Sequence, residues 1–124
     1  MEGGDDPDSR RCMEWDPGKQ DQRMLGTYRA LISARRQRPW LSWGAFEDVM
    51  ADDERHVYAY RRTSISPLAP PDAPRDDMYV AINTGDFPTD VCLPDGNRVD
   101  LLTRKRVSGG ITVGARDAAV LVPA

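Results

Sequence analysis

Pro39-Trp40-Leu41-Ser42-Trp43-Gly44 divides this 124-residue chain into two segments with different hydrophobic periods. Upstream of it, Met24, Leu25, Tyr28, Leu31 and Ile32 recur at the spacing of one helix face, which predicts an amphipathic helix over roughly 17–37. Asp16 offers an N-cap. Pro17 suits the first helical position, where its missing N–H would have no intrahelical partner. Gly26 weakens this helix slightly. Pro39 stops it, because the residue before a proline is pushed out of the helical region.

Downstream of Gly44 the pattern alternates. Strand candidates cover 45–50, 56–63, 78–84, 88–93, 98–102, 105–107, 111–113 and 117–122. Asp95-Gly96-Asn97 and Gly109-Gly110 read as turns between them. The stretch from Thr63 to Asp77 holds Pro67, Pro70, Pro71 and Pro74, which cannot donate to a ladder, so it reads as an extended surface loop. Many short strands with turns at close intervals predict a mainly β chain, with an antiparallel β-sandwich of Greek-key type over 45–124. Trp40 and Trp43 are expected to fill the hinge between helix and sandwich.

Composition narrows the function classes. The net charge is −3, so no basic excess points to nucleic acid. Arg35, Arg36 and Arg38 cluster at the end of the predicted helix, where they complement its dipole. No apolar run approaches the ~20 residues of a membrane span. The acidic start lacks the pattern of a secretory signal, which leaves the cytoplasm as the expected location. Cys12 and Cys92 are the only cysteines and lack metal or redox spacing, so reduced, unpaired thiols are expected. His56, the only histidine, sits in the apparent strand His56-Val57-Tyr58-Ala59-Tyr60 with no ligand partner at metal spacing. Neither a metal nor a cofactor is expected.

The chemistry-bearing stretch is Gly3-Gly4-Asp5-Asp6-Pro7-Asp8-Ser9-Arg10-Arg11-Cys12-Met13-Glu14-Trp15-Asp16. Short carboxylates and an arginine fork on a stiff loop suit ligands with adjacent hydroxyls. By its residues alone it reads rather as a solvated acidic loop, with an arginine paired to Asp5 or Asp8. A calcium loop is not indicated, because the DxDxDG order is absent.

This stretch resembles the loop after the eighth barrel strand in the alpha-amylase family of glycoside hydrolases, in the cyclomaltodextrinase, neopullulanase and maltogenic amylase branch. Leu25 to Pro39 is similar to that family's last barrel helix. Gly44-Ala45-Phe46 and Val57-Tyr58-Ala59-Tyr60-Arg61-Arg62 resemble the first strands of its C-terminal β domain. Asp100-Leu101-Leu102-Thr103, Val107-Ser108-Gly109-Gly110 and Ala118 to Val122 look like its late turn and final strand. The proline loop at 64–77 is longer than the family's connection.

The resemblance implies the last loop and helix of a (β/α)8 barrel over 1–38 and a C-terminal β-sandwich domain over 45–124. It implies a parent that hydrolyses bonds in cyclodextrins, pullulan or maltodextrins, with its catalytic carboxylates on earlier barrel strands. A retaining mechanism needs two carboxyl groups ~5–5.5 Å apart, and no catalytic residue of this chain matches the family's motifs. The chain is therefore expected to start after the catalytic machinery and to be inactive alone. Asp6 and Arg10 match the positions that bind glucosyl hydroxyls. The implied partners are an alpha-glucan oligosaccharide through the parent barrel and a second copy through the helix at 17–37. The alternative is a non-catalytic carbohydrate-binding or protein-interaction β module.

Overall fold

In the computed structural model, which describes residues 4–6, 10 and 12–124, the helix α1 spans Gln22–Gln37. It begins later than the sequence suggests. Asp21, not Asp16, is the N-cap, and its carboxylate accepts the Met24 N–H at 3.0 Å. Asp16 instead closes a turn, taking the Gly18 N–H on its side chain at 2.9 Å and the Lys19 N–H on its carbonyl at 3.0 Å. Pro17-Gly18 is turn chemistry, and it outcompetes helix initiation there. At the other end the helix stops where Pro39 requires. A 3-10 turn, Pro39–Ser42, then carries Trp40 and Leu41 into the interior.

Six strands follow: β1 (Ala45–Asp52), β2 (Val57–Thr63), β3 (Asp77–Asn83), β4 (Thr89–Asp100), β5 (Arg106–Val113) and β6 (Asp117–Pro123). They form one antiparallel sheet in the order β1-β2-β3-β6-β4-β5, curled on itself. The mainly antiparallel β reading holds. β6 returns from the end of the sequence to lie between β3 and β4.

Two expected turns are not turns. The expected strands 88–93 and 98–102 fall largely within the single strand β4 (Thr89–Asp100), whose pairing with β5 shifts register between Cys92 and Asn97. Gly96 sits there at φ 138°. Gly109, at φ 73°, lies inside β5, which likewise joins two expected strands. Glycine supports a bulge as readily as a hairpin, and here the extra residues bend two paired strands without ending them. Gly110 also lets the β4 backbone come close, since a Cβ there would sit 3.0 Å from the Val91 carbonyl oxygen. His56 is not in a strand either. It is an exposed turn residue at φ 56°, and its carbonyl accepts the Thr84 N–H at 2.9 Å.

Alternating residues of the curled sheet point inward. Val57, Ala59, Tyr79, Ala81, Val91, Leu93, Val113, Ala119 and Leu121 form the buried cluster. Val80, Val120 and Val122, on the opposite face, are buried as well. A strand buried on both faces loses polar alternation, which is why β6 contains the continuous apolar run Ala118–Val122.

α1 borders this outer face across a cleft, with its small residues toward the sheet. Gly26, Thr27 and Ala30 border a cleft with Ile82 and Ala118, and Ala34 is buried. The apolar stripe therefore turns outward: Met24, Tyr28, Leu31 and Ile32 are 54%, 62%, 39% and 56% exposed. These four side chains do not fold back on the sheet.

The linker between helix and sheet is clamped. Arg62 donates from Nη2 to the Leu41 and Gly44 carbonyls, each at 2.9 Å. Trp40 Nε1 donates to Asp76 at 3.1 Å, and Ser66 Oγ donates to the Trp43 carbonyl at 3.1 Å. The proline loop is thus docked on the hinge as well as exposed to solvent. A Cβ on Gly44 would lie 2.5 Å from the Thr63 carbonyl oxygen and 2.8 Å from that of Trp40. Both are backbone atoms and cannot swing aside. Gly44→Ala is expected to destabilise the fold by about 1–3 kcal/mol, the usual cost of overpacking. Urea unfolding measures it, and an unchanged midpoint would show that the linker relaxes freely.

Candidate functional site

Asp6 and Arg10 are brought together. The Arg10 guanidinium donates from Nη2 to Asp6 Oδ2 at 2.5 Å, and the side chains are 75% (Arg10) and 59% (Asp6) exposed. Surface ion pairs of this kind contribute ~0–1 kcal/mol, so a polyhydroxyl ligand could exchange with either member. Asp5 is exposed, and Asp8 lies outside the described residues. Glu14 supports the same loop by accepting the Asp16 N–H at 2.9 Å. Trp15 is 78% exposed. Asp6 and Arg10 thus form an open, polar ledge with no enclosing wall among the described residues.

The two most enclosed carboxylates have structural partners. Asp100 accepts from the Leu102 N–H at 3.1 Å, the Thr103 hydroxyl at 2.5 Å and the Val120 N–H at 3.2 Å. Asp77 accepts from Arg98 Nη1 at 2.8 Å and Nη2 at 3.2 Å, and from Arg61 Nε at 3.0 Å. Arg98 also lies over the Tyr79 ring, 4.3 Å from its centroid. Neither acid was singled out by sequence reading, since a lone Asp at a strand end looks like turn chemistry.

Cys12 and Cys92 are exposed and not bonded to each other. Among the described residues no group of three His, Cys, Asp or Glu is placed to hold a metal ion. No helix among them is long and apolar enough to cross a membrane.

A second surface escaped sequence reading. Phe46 and Tyr60 stack with centroids 5.0 Å apart, and Tyr58 follows Tyr60 at 5.8 Å. The Tyr58 hydroxyl donates to Asp48 at 2.6 Å, and that bond, above all, holds its pKa above the usual phenol range. The signal lies in the i, i+2 spacing of Tyr58 and Tyr60, since alternate residues of a strand share one face.

A solved structure described as a hypothetical maltooligosyl trehalose synthase from Sulfolobus tokodaii shares the fold over 94% of this chain and 16% of its own, with a TM-score of 0.62 at 16% identity. No protein-family profile matches the chain. Among curated relatives, a cyclomaltodextrinase of Geobacillus thermopakistaniensis (strain MAS1) is 31% identical over 110 residues, covering 86% of this chain and 17% of the relative. A maltogenic alpha-amylase of Bacillus acidopullulyticus is 43% identical over 42 residues, which is 34% of this chain and 7% of that protein. The chain belongs to the alpha-amylase family of glycoside hydrolases, and corresponds to a C-terminal part of its cyclomaltodextrinase and maltogenic amylase branch. It spans about a sixth of the length of the first of these relatives.

Proposed function

We propose that this chain acts as the C-terminal part of an enzyme that hydrolyses alpha-glucans of the cyclodextrin, pullulan or maltodextrin class. Residues 1–38 supply the last loop and helix of the catalytic barrel, and 45–124 supply the structural β domain. Asp6 and Arg10 hold glucosyl hydroxyls, and the reacting carboxylates belong to a barrel portion that this chain does not contain. The observation that carries the reading is the match to a cyclomaltodextrinase over 86% of the chain. The exposed Asp6–Arg10 pair supports it, because both groups are free to exchange with hydroxyls.

The isolated chain should release no reducing ends from cyclodextrin, pullulan or maltodextrin. It should also bind maltooligosaccharides at millimolar strength or not at all. Wet polar contacts contribute about 0.5–1.5 kcal/mol each, and a millimolar Kd already requires about 4 kcal/mol. Reducing-end assays and calorimetric titration test both points. Turnover abolished by a change at Asp5, Asp6 or Asp8 would overturn the reading. Tight binding lost in Arg10→Ala would favour the second one, a non-catalytic carbohydrate module, for which the exposed Phe46–Tyr60 pair is the specific support.

A further inference from the structure

Phe87 is 79% exposed, yet its main chain is firmly held. The Asn83 side chain, in a residue only 1% exposed, donates from Nδ2 to the Phe87 carbonyl at 2.8 Å and to that of Gly114 at 2.9 Å. Its Oδ1 accepts the Gly85 N–H at 2.9 Å. The Gly85 carbonyl accepts the Arg116 N–H at 3.0 Å, and Asp86 accepts Nε and Nη2 of Arg116 at 2.9 and 2.7 Å. A Cβ on Gly85 would lie 2.8 Å from the Arg55 carbonyl oxygen, so the β1–β2 turn is packed against the same connection. Three chain reversals are locked together, and they hold a large apolar ring out in water, where it adds no burial to the fold.

That ring lines a hollow of 560 Å3 between the β1–β2 turn and the start of β4, with all of its walls drawn from 54–56 and 85–90. Because every wall lies within the β domain, the hollow does not depend on what precedes α1. Sites for small ligands are typically concavities of about 300–1,000 Å3 with an aromatic surface and a few placed polar groups. Here the polar groups are the exposed Glu54, His56 and Asp90, which offer carboxylate acceptors and a ring N–H donor. Asp90 is steadied by the Thr112 hydroxyl at 2.6 Å. An anion would meet the carboxylates of Glu54, Asp86 and Asp90 and be repelled. A wholly apolar ligand would strip water from those same groups without replacing it. A pyranose ring satisfies both parts, with an apolar C–H face for Phe87 and a rim of hydroxyls for the acids.

We infer that the hollow is a second contact for an alpha-glucan chain, with Phe87 stacked on the C–H face of a glucosyl unit and Glu54, His56 and Asp90 taking its hydroxyls. The choice of alpha-glucan among sugars rests on the function proposed above. Position suits the role. Thr84 and Arg116, at this end of the sheet, border the α1 cleft together with Gln22 and Arg23 of the first helical turn. The segment that carries Asp6 and Arg10 runs into that turn. A glucan held at the hollow is kept toward the end of the molecule where the Asp6–Arg10 loop joins the helix. One stacked ring and a few wet polar contacts place the affinity in the millimolar range.

Proton NMR of the intact chain tests it, because His56 is the only histidine and its ring C–H signals report directly on the hollow. Titration with maltoheptaose should move them with a millimolar midpoint, whereas equal concentrations of the β-linked cellopentaose should not. Phe87→Ala should remove the response, and Phe87→Trp, which keeps a stacking face, should retain it. The position is exposed, and circular dichroism checks that folding is retained. In the same spectra the Trp15 ring signals, assigned with Trp15→Phe, report on the loop of Asp6 and Arg10. His56 signals that stay still under maltoheptaose would overturn the second contact. So would Phe87→Ala responding like wild type, or cellopentaose acting as strongly as maltoheptaose. Trp15 moving while His56 does not would remove the hollow and leave the Asp6–Arg10 reading standing. His56 moving while Trp15 does not would keep the hollow and count against that loop.

Discussion

Asp77→Asn is expected to cost about 3–5 kcal/mol, the range for removing one member of a buried charge cluster. One carboxylate serves two strands at once. Arg98 on β4 grips it with Nη1 and Nη2, and Arg61 on β2 adds a third hydrogen bond from Nε at 3.0 Å. The Arg98 side chain is 10% exposed, and its Nε is already buried without a partner. With the carboxylate replaced by an amide, a buried guanidinium loses its counter-charge and has no route to water.

Burial alone would raise the pKa of Asp77. The hydrogen bonds and charge of Arg98, followed by those of Arg61, outweigh it and hold the group below the ordinary carboxylate range. A depressed folded pKa stabilises the fold above the unfolded value of ~3.9, and that stability is lost as pH falls through the folded value. Wild type should therefore lose stability on acidification below about pH 4, and Asp77→Asn should lose less over the same interval. Urea midpoints at pH 7 and pH 3 measure both effects. Near-identical midpoints at neutral pH would show that the two arginines find other partners or water.

Trp40→Ala should have a comparable effect, about 3–5 kcal/mol for deleting a buried large aromatic, but a different distribution. Trp40 is 3% exposed, and its indole donates to Asp76 at 3.1 Å. Arg38 approaches the same carboxylate to 3.3 Å. The residue therefore ties the end of α1 to the entry of β3, while the helix body borders the sheet across a cleft. Its loss should release α1 first. Hydrogen exchange should show 22–37 losing protection while β3 and β6 keep most of theirs. Helix and sheet losing protection together would show that the hinge is not a separable joint.

How far the sequence could be read follows from what each signal depends on. The helix, its stop at Pro39 and the change of period after Gly44 are local, and they appear where expected. The start of α1 was misread because Asp16 and Asp21 are equally good caps in isolation, and only the Pro17-Gly18 turn separates them. Gly96 and Gly109 were misread for a similar reason. A positive φ serves a bulge or a hairpin, and the partner strand decides which. The facing of α1 depends on tertiary structure: Met24, Tyr28, Leu31 and Ile32 are exposed, while Gly26, Thr27 and Ala30 line the cleft toward the sheet. At the candidate site, the Asp6–Arg10 pairing is an i, i+4 relation and was within reach of sequence reasoning. The Asp77–Arg98 grip spans β3 and β4, which share no ladder and are joined through β6, so no local pattern announces it.

The place of β6 has a consequence for how the sheet comes into being. Until residues 117–123 arrive, β1-β2-β3 and β4-β5 are two separate ladders with no hydrogen-bonded strand between them. Each then presents an unpaired apolar edge, β3 with Val80 and Ala81 and β4 with Val99. The pairings that unite them, Tyr79 with Leu121 and Val99 with Val122, draw their partners from the same late strand. Long-range closure of this kind is slow compared with hairpin formation, and open strand edges are where chains join one another wrongly. The time between making β5 and seating β6 is thus the interval in which this polypeptide is most exposed to aggregation, and strand order sets it more than any single contact.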